Sequence, residues 1–311
     1  MNTPSACQIE LGVSERMRHD IDKQVDRVLK EMGNPEPPLD LESVRGLLRL
    51  DLRFFSTANP TWLEGKIHTL RIAGHNILHE PRRLLEVVRK LSLKALVLPE
   101  RRQILIDSDL PSPKQRWSES HEIVHTILSW HAPYCHGDRE RTLTEDCHAT
   151  IEAEANYGSG RLLFLAERFR EEVRSAPIPM DRVRKLAKLY GNSLTSTLWR
   201  TTEHATQPVL GMVSVHPWDQ PTDVNAPKVR RMFCSPPFAE RFTSVHPDLV
   251  LKTLARVVTR KGGGLVGAGS LRLTDANGDE HEFQAECFSN THDILSLLVH
   301  VRAVSKAIVI P

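Results

Sequence analysis

Apolar and charged residues alternate at helical spacing over residues 14–32, with Ile21, Val25, Val28, Leu29 and Met32 on one side. Gly33-Asn34-Pro35 closes that helix, and Pro37-Pro38 opens a stiff linker. Residues 39–95 are mixed, with helices expected around Leu41–Leu50 and Arg82–Leu91. Arg101–Asp107 is rich in branched residues and reads as a short strand, followed by a Pro- and Ser-punctuated loop from Leu110 to Lys114. A helix capped at Ser118 comes next. It carries Ile123, Ile127 and Trp130 on one side and His121, Val124, His125 and Leu128 on another. A second helix, from Cys147 to about Arg174, has the stripe Ile151, Ala155, Leu162, Ala166, Phe169 and Val173. Pro177 and Pro179 separate it from helices at about 180–190 and 193–203.

The texture changes after Gln207-Pro208. Val209–Val215 and Arg230–Cys234 predict strands, Pro247–Thr259 a helix, and Asp293–Lys306 a helical or mixed segment. Gly267–Leu273 and His281–Phe288 flank Asn277-Gly278 and read as a hairpin. The glycine-rich run Gly262–Gly269 lacks the Lys-Ser/Thr ending of a phosphate-binding loop and reads as a flexible loop entering a strand. The expected organisation is α+β. An N-terminal helix and linker occupy residues 1–38, a mainly helical domain 39–206, and a smaller α/β module 207–311 that senses a signal or positions a partner.

The chemistry is concentrated at His121-Glu122-Ile123-Val124-His125. Two histidines four apart on a helix lie about 6 Å apart along its axis and can hold one metal ion. Glu122 stands beside them, placed to take a proton from water activated by that metal. A buried helix carrying two histidines needs a reason for them, and a metal supplies one. Two residues compete as third ligand. His131 stands ten residues after His121, the spacing of H-E-x-x-H-x-x-G-x-x-H, but Leu128 occupies the glycine position where that motif turns out of its helix. Glu152 borders the stripe of the second helix, with Asn156 one turn on. A carboxylate ligand with a polar residue at i+4 lets the second orient a ligand histidine. Glu154 lies about 200° around the helix from Glu152, so both should not face the metal. Gly158 and Gly160 allow another element to pack closely.

The strings His121–His125, Ile151-Glu152-Ala153-Glu154-Ala155-Asn156 and Arg161-Leu162-Leu163 resemble the ImmA/IrrE metallopeptidases. That family typically shows H-E-x-G-H followed by E-x-E-A-N-x-F-A-x-x-L-L. Arg116 and Trp117, and the segments 186–193 and 198–200, extend the resemblance over roughly residues 95–205. It implies a zincin-like, gluzincin-type site with His121, His125 and Glu152 as ligands, Glu122 as general base and Asn156 supporting the ligands. It also implies a zinc-dependent endopeptidase that cleaves a regulatory protein such as a helix-turn-helix repressor in a stress response. The chain departs from the family at Val124, which replaces glycine and predicts looser packing of that helix. Tyr157-Gly158-Ser159 replaces x-F-A, and Phe164-Leu165 stands where Met-Pro often ends the helix. The ligand set also suits manganese or iron. Tyr157 and His148 are candidates for stabilising an oxyanion. The alternative function is a non-catalytic regulator that keeps the fold and binds a partner.

Composition narrows the setting. The chain has 311 residues, enough for two domains, and 40% are hydrophobic. With 41 basic and 39 acidic residues the net charge is +2, which argues against a global field for nucleic acid or membrane. Pro81-Arg82-Arg83 and Lys228-Val229-Arg230-Arg231 read as solvated surface. No apolar run reaches membrane-spanning length, and Met1–Asp20 lacks a signal-peptide core. Five scattered cysteines predict no disulfide framework and suit a reducing cytoplasm. Cys135-His136 and Cys147-His148 read as residues near the main site rather than a second metal site.

Overall fold

The computed structural model describes residues 13–55, 95–98, 102–132, 145–219 and 227–304. The chain divides into two compact units at Ala166/Glu167. The expected helix at Arg82–Leu91 and the Cys135-His136 pair lie outside the described residues.

In the first unit, α1 (Glu15–Glu31) starts at Ser14, whose side chain accepts the Met17 N–H, and buries Ile21, Val25, Val28 and Leu29 as its periodicity predicts. Helix α2 (Leu41–Leu48) is capped by Asp40, which accepts the N–H groups of Glu42 and Ser43. Three strands follow: β1 (Asp51–Phe55), β2 (Ala95–Leu98) and β3 (Gln103–Asp107). Strand β3 lies in the middle, parallel to β1 and antiparallel to β2, and Ile104, Leu105 and Ile106 are buried.

Helix α3 (Ser112–Ile127) carries the histidine motif. It starts six residues before the expected cap: Pro111 is the N-cap residue, and Ser118 lies inside the helix. Pro113 fits the first turn, where a missing N–H costs nothing. The part-buried Arg45–Glu119 ion pair (2.7 Å) and an Arg116 Nη2 bond to the Leu39 carbonyl (2.8 Å) tie α3 to the segment around α2. Helix α4 (Glu145–Leu163) packs on both α1 and α3. Against α1, Asp22 takes an ion pair from Arg161 (2.7 Å) and a hydrogen bond from the Tyr157 hydroxyl (3.0 Å).

The single helix expected over Cys147–Arg174 is broken. Leu165 and Ala166 take left-handed φ angles of 55° and 49°, and the Ala166 N–H turns back to the Arg161 carbonyl. Helix α5 (Glu167–Arg174) then restarts the chain in the second unit. Phe169 and Val173 are buried, so the stripe continues across a break that periodicity does not register.

The second unit adds α6 (Met180–Tyr190) and α7 (Leu194–His204) to a five-stranded antiparallel sheet. Its strands are β4 (Val209–Ser214), β5 (Val229–Cys234), β6 (Gly264–Thr274), β7 (Glu280–Ser289) and β8 (Ile294–Ala303), in the order β5-β4-β8-β7-β6. Helix α7 packs on β4 and β5, and α6 on β7. Residues 167–206, placed by their helical texture in the first domain, therefore fold with the sheet. Helices α8 (Pro236–Arg241) and α9 (Pro247–Leu254) contribute Phe238, Val250 and Leu254 to a core with Phe242, Val266 and Phe283. Mixed helices and sheets make the chain α+β, as expected. The hairpin also forms as expected, with Gly278 at φ 82° in its turn. The segment read as helical or mixed is the strand β8. Ile294 to Leu298 are buried without interruption between β4 and β7, where the alternation that marks a one-sided strand disappears. Cys287 is a buried free thiol.

The hairpin turn rests on Asp275, whose side chain is fully buried. Its Oδ1 accepts the N–H groups of Asn277 (2.9 Å) and Asp279 (3.0 Å), while Oδ2 faces Arg241 Nε and His281 Nε2, each at 3.2 Å. The Asp279 N–H bond leads; with Arg241, Asn277 and His281 it outweighs burial and holds the carboxyl at about 2, below its ordinary 3.8. A carboxyl depressed by folding stabilises above its unfolded value, and that stability is lost as pH falls from about 4 to about 2. Asp275→Asn is expected to lower the melting temperature near neutrality and to flatten its decline across that acid window. Parallel acid profiles for the two proteins would contradict this.

Candidate metal centre

Helix α3 places His121 and His125 one turn apart, and their Nε2 atoms approach to 3.1 Å. Helix α4 brings Glu152 against both: Oε2 lies 3.1 Å from His121 Nε2, and Oε1 lies 3.6 Å from His125 Nε2. With one ligand atom taken from each residue, the three lie within 4.8 Å of one another, the one such cluster among the described residues. Ligand atoms around a tetrahedral zinc at its usual bond lengths stand about 3.4 Å apart, so the spacing fits. The chemistry fits as well. Two imidazole nitrogens at 3.1 Å cannot both point a proton at each other, and a shared cation satisfies both lone pairs and the carboxylate.

Electrostatics reinforce the cluster. Burial opposes ionisation of Glu152, but hydrogen bonds and charge from His121 and His125 prevail and hold it far below the usual carboxylate range. Burial likewise disfavours the His121 cation. The Glu152 bond, the Glu122 and Glu152 charges and an Asn156 bond outweigh it and raise His121 above its ordinary value. A site so negative attracts a cation. Glu122 is itself buried beside the cluster, and Asn156, though exposed, bonds His121 as a supporting residue would.

His131 lies elsewhere. Helix α3 ends at Leu128 without glycine, and a tight turn over Ser129–His131 folds the chain back, with the His131 N–H bonded to the Leu128 carbonyl. His131 Nδ1 then sits 2.9 Å from His125 Nδ1, on the ring edge away from Glu152. Burial first, then the neighbouring His125, hold His131 below its ordinary pKa despite its bond to Glu154. Glu154 is buried and does not join Glu152. Its Oε2 accepts from Trp130 Nε1 (2.8 Å) and lies 2.9 Å from His131 Nε2. Sequence reasoning missed a role for Trp130 and Glu154; the one available signal was an acidic residue on the far side of α4 from Glu152. Tyr157 turns its hydroxyl to Asp22 on α1, so that group is committed to helix packing. The His148 side chain lies outside the described residues.

No curated protein sequence matches the chain. Among solved structures, a Mycobacterium tuberculosis transcriptional regulator superposes with a TM-score of 0.52 at 12% identity, over 93% of this chain and 78% of that one. At that identity the likeness is one of fold alone. A family model describing the IrrE N-terminal-like domain, Peptidase_M78, matches residues 76–202. That span holds both helices of the cluster, and the match supports assigning the chain to the IrrE N-terminal-like (ImmA/IrrE) peptidase family.

Proposed function

We propose that this protein is a zinc-dependent endopeptidase that cleaves a regulatory protein, a helix-turn-helix transcriptional repressor being the substrate class that fits best. The observation that carries the reading is the convergence of His121, His125 and Glu152 inside the peptidase-family segment. These three would hold the metal, with Asn156 steadying His121. Zinc bound there would make water acidic enough to attack near neutral pH and would polarise the scissile carbonyl. Glu122 takes the proton of the attacking water and delivers it to the departing amine nitrogen. Manganese or iron would satisfy the same donors. Among the described residues no helix is long and apolar enough to cross a membrane. A protein substrate met in the cytoplasm is the setting proposed.

Elemental mass spectrometry of the purified chain should find about one zinc per molecule. Cleavage of a repressor encoded near this protein's gene should stop with chelator and return with added zinc. A carefully prepared chain without metal would overturn the assignment. A zinc-loaded chain that binds the repressor without cutting it would favour the regulator alternative.

A further inference from the structure

We propose that His131, backed by Glu154 and Trp130, sets the tautomer and aim of His125, so that these three are positioning residues standing behind the metal ligand. The inference rests on the metal-site reading above and adds a layer to it.

The protons can be placed one by one. Trp130 Nε1 can only donate, and it donates to Glu154 Oε2 at 2.8 Å. A carboxylate can only accept, so the 2.9 Å contact between the same oxygen and His131 Nε2 requires the proton on His131 Nε2. Neutral His131 then presents a lone pair at Nδ1. Its 2.9 Å contact with His125 Nδ1 requires the proton on His125 Nδ1. That leaves the His125 Nε2 lone pair aimed at His121 and Glu152. With His131 neutral, these proton positions satisfy each bond from Trp130 through Glu154 and His131 to His125, and they put His125 in the form that binds a metal through Nε2.

Burial supports a purpose for this chain of bonds. His131 is fully buried and the Glu154 side chain is 5% exposed. A buried histidine and carboxylate are expensive to desolvate and add little net stability compared with apolar residues of the same size. Their geometry also explains the two faces of α4: Glu152 meets the ring nitrogens at the site, and Glu154 reaches the same histidine from behind through His131. The chain turn after Leu128 is what returns His131 to that position.

The test uses the full-length protein in two readouts. The first is zinc affinity by chelator competition. His131→Phe keeps a buried ring but can neither accept the His125 Nδ1–H bond nor donate to Glu154, and should weaken zinc about 10- to 100-fold. His131→Asn keeps an acceptor near Nδ1 and should recover most of that loss. The second is the nitrogen chemical shifts of labelled histidines in metal-free protein, with His125 assigned by its absence in His125→Gln. Wild type should show His125 protonated at Nδ1. His131→Phe should release it toward the commoner Nε2–H form. If His131→Phe misfolds, Glu154→Gln should shift both readouts in the same direction by less. Unchanged affinity and an unchanged His125 tautomer would overturn the proposal. So would loss of all zinc in His131→Phe with zinc retained in Glu152→Ala, which would make His131 a ligand. A wild type without zinc would defeat the metallopeptidase reading, while the tautomer readout would still decide the bond chain.

Discussion

Glu122→Gln should bind zinc like wild type and lose substrate cleavage by about 10²- to 10⁴-fold, the usual contribution of a general base. Glutamine has the shape of glutamate and can keep its hydrogen bonds, but it takes no proton at neutral pH. Glu122 is buried in α3 and its charge already acts on His121, so it shares the local field of the cluster without being one of its three converging groups. The substitution therefore separates two functions that lie one residue apart. Glu152→Ala is the complementary variant: it should lose the metal and, with it, all activity. The pair is read by elemental analysis and by cleavage of the same repressor substrate. Cleavage by Glu122→Gln at the wild-type rate would remove Glu122 from the mechanism, and full zinc in Glu152→Ala would remove Glu152 from the ligand set.

What could be read from residue order follows a physical line. The ligand candidates are four apart on one helix, and helical geometry alone puts them together. The stripe of α1 and the Asn277-Gly278 turn are equally local signals. Long-range polar contacts leave no such trace. The bonds from Trp130 and His131 to Glu154 join residues more than twenty positions apart, and nothing periodic connects them. The break at Leu165-Ala166 escaped because both sides of it bury apolar residues on a continuing stripe. Strand β8 escaped for the opposite reason: its first half, Ile294–Leu298, is buried on both faces, so it shows no alternation there. In each case tertiary burial overrode a pattern that assumes one wet face.

The Val124 position illustrates how two departures from a family pattern explain each other. Valine in place of glycine predicts a helix held off from its neighbour. The structure shows close packing instead, because the residue opposite has shrunk. A Cβ placed on Gly158 would stand 2.7 Å from Val124 Cγ1 and 3.2 Å from Ile21 Cγ2. In the family pattern the small residue is on the histidine helix and the large one, phenylalanine, on the glutamate helix. Here the sizes are exchanged. Gly158→Ala should therefore cost about 1–3 kcal/mol by overpacking, offset by up to about 1 kcal/mol of helix propensity. Val124→Ala removes two buried methyl groups and should cost roughly 2 kcal/mol. The double variant should cost less than the sum, with a coupling of about 1–2 kcal/mol, because the new methyl occupies the space vacated. Urea unfolding of metal-free protein measures the cycle, and strict additivity would sink the idea. Since α3 and α4 carry the ligands on opposite sides of this contact, Gly158→Ala should also weaken zinc by spreading His121 and His125 from Glu152. The double variant should tighten it again, which links a packing exchange of a few methyl groups to the assembly of the metal site.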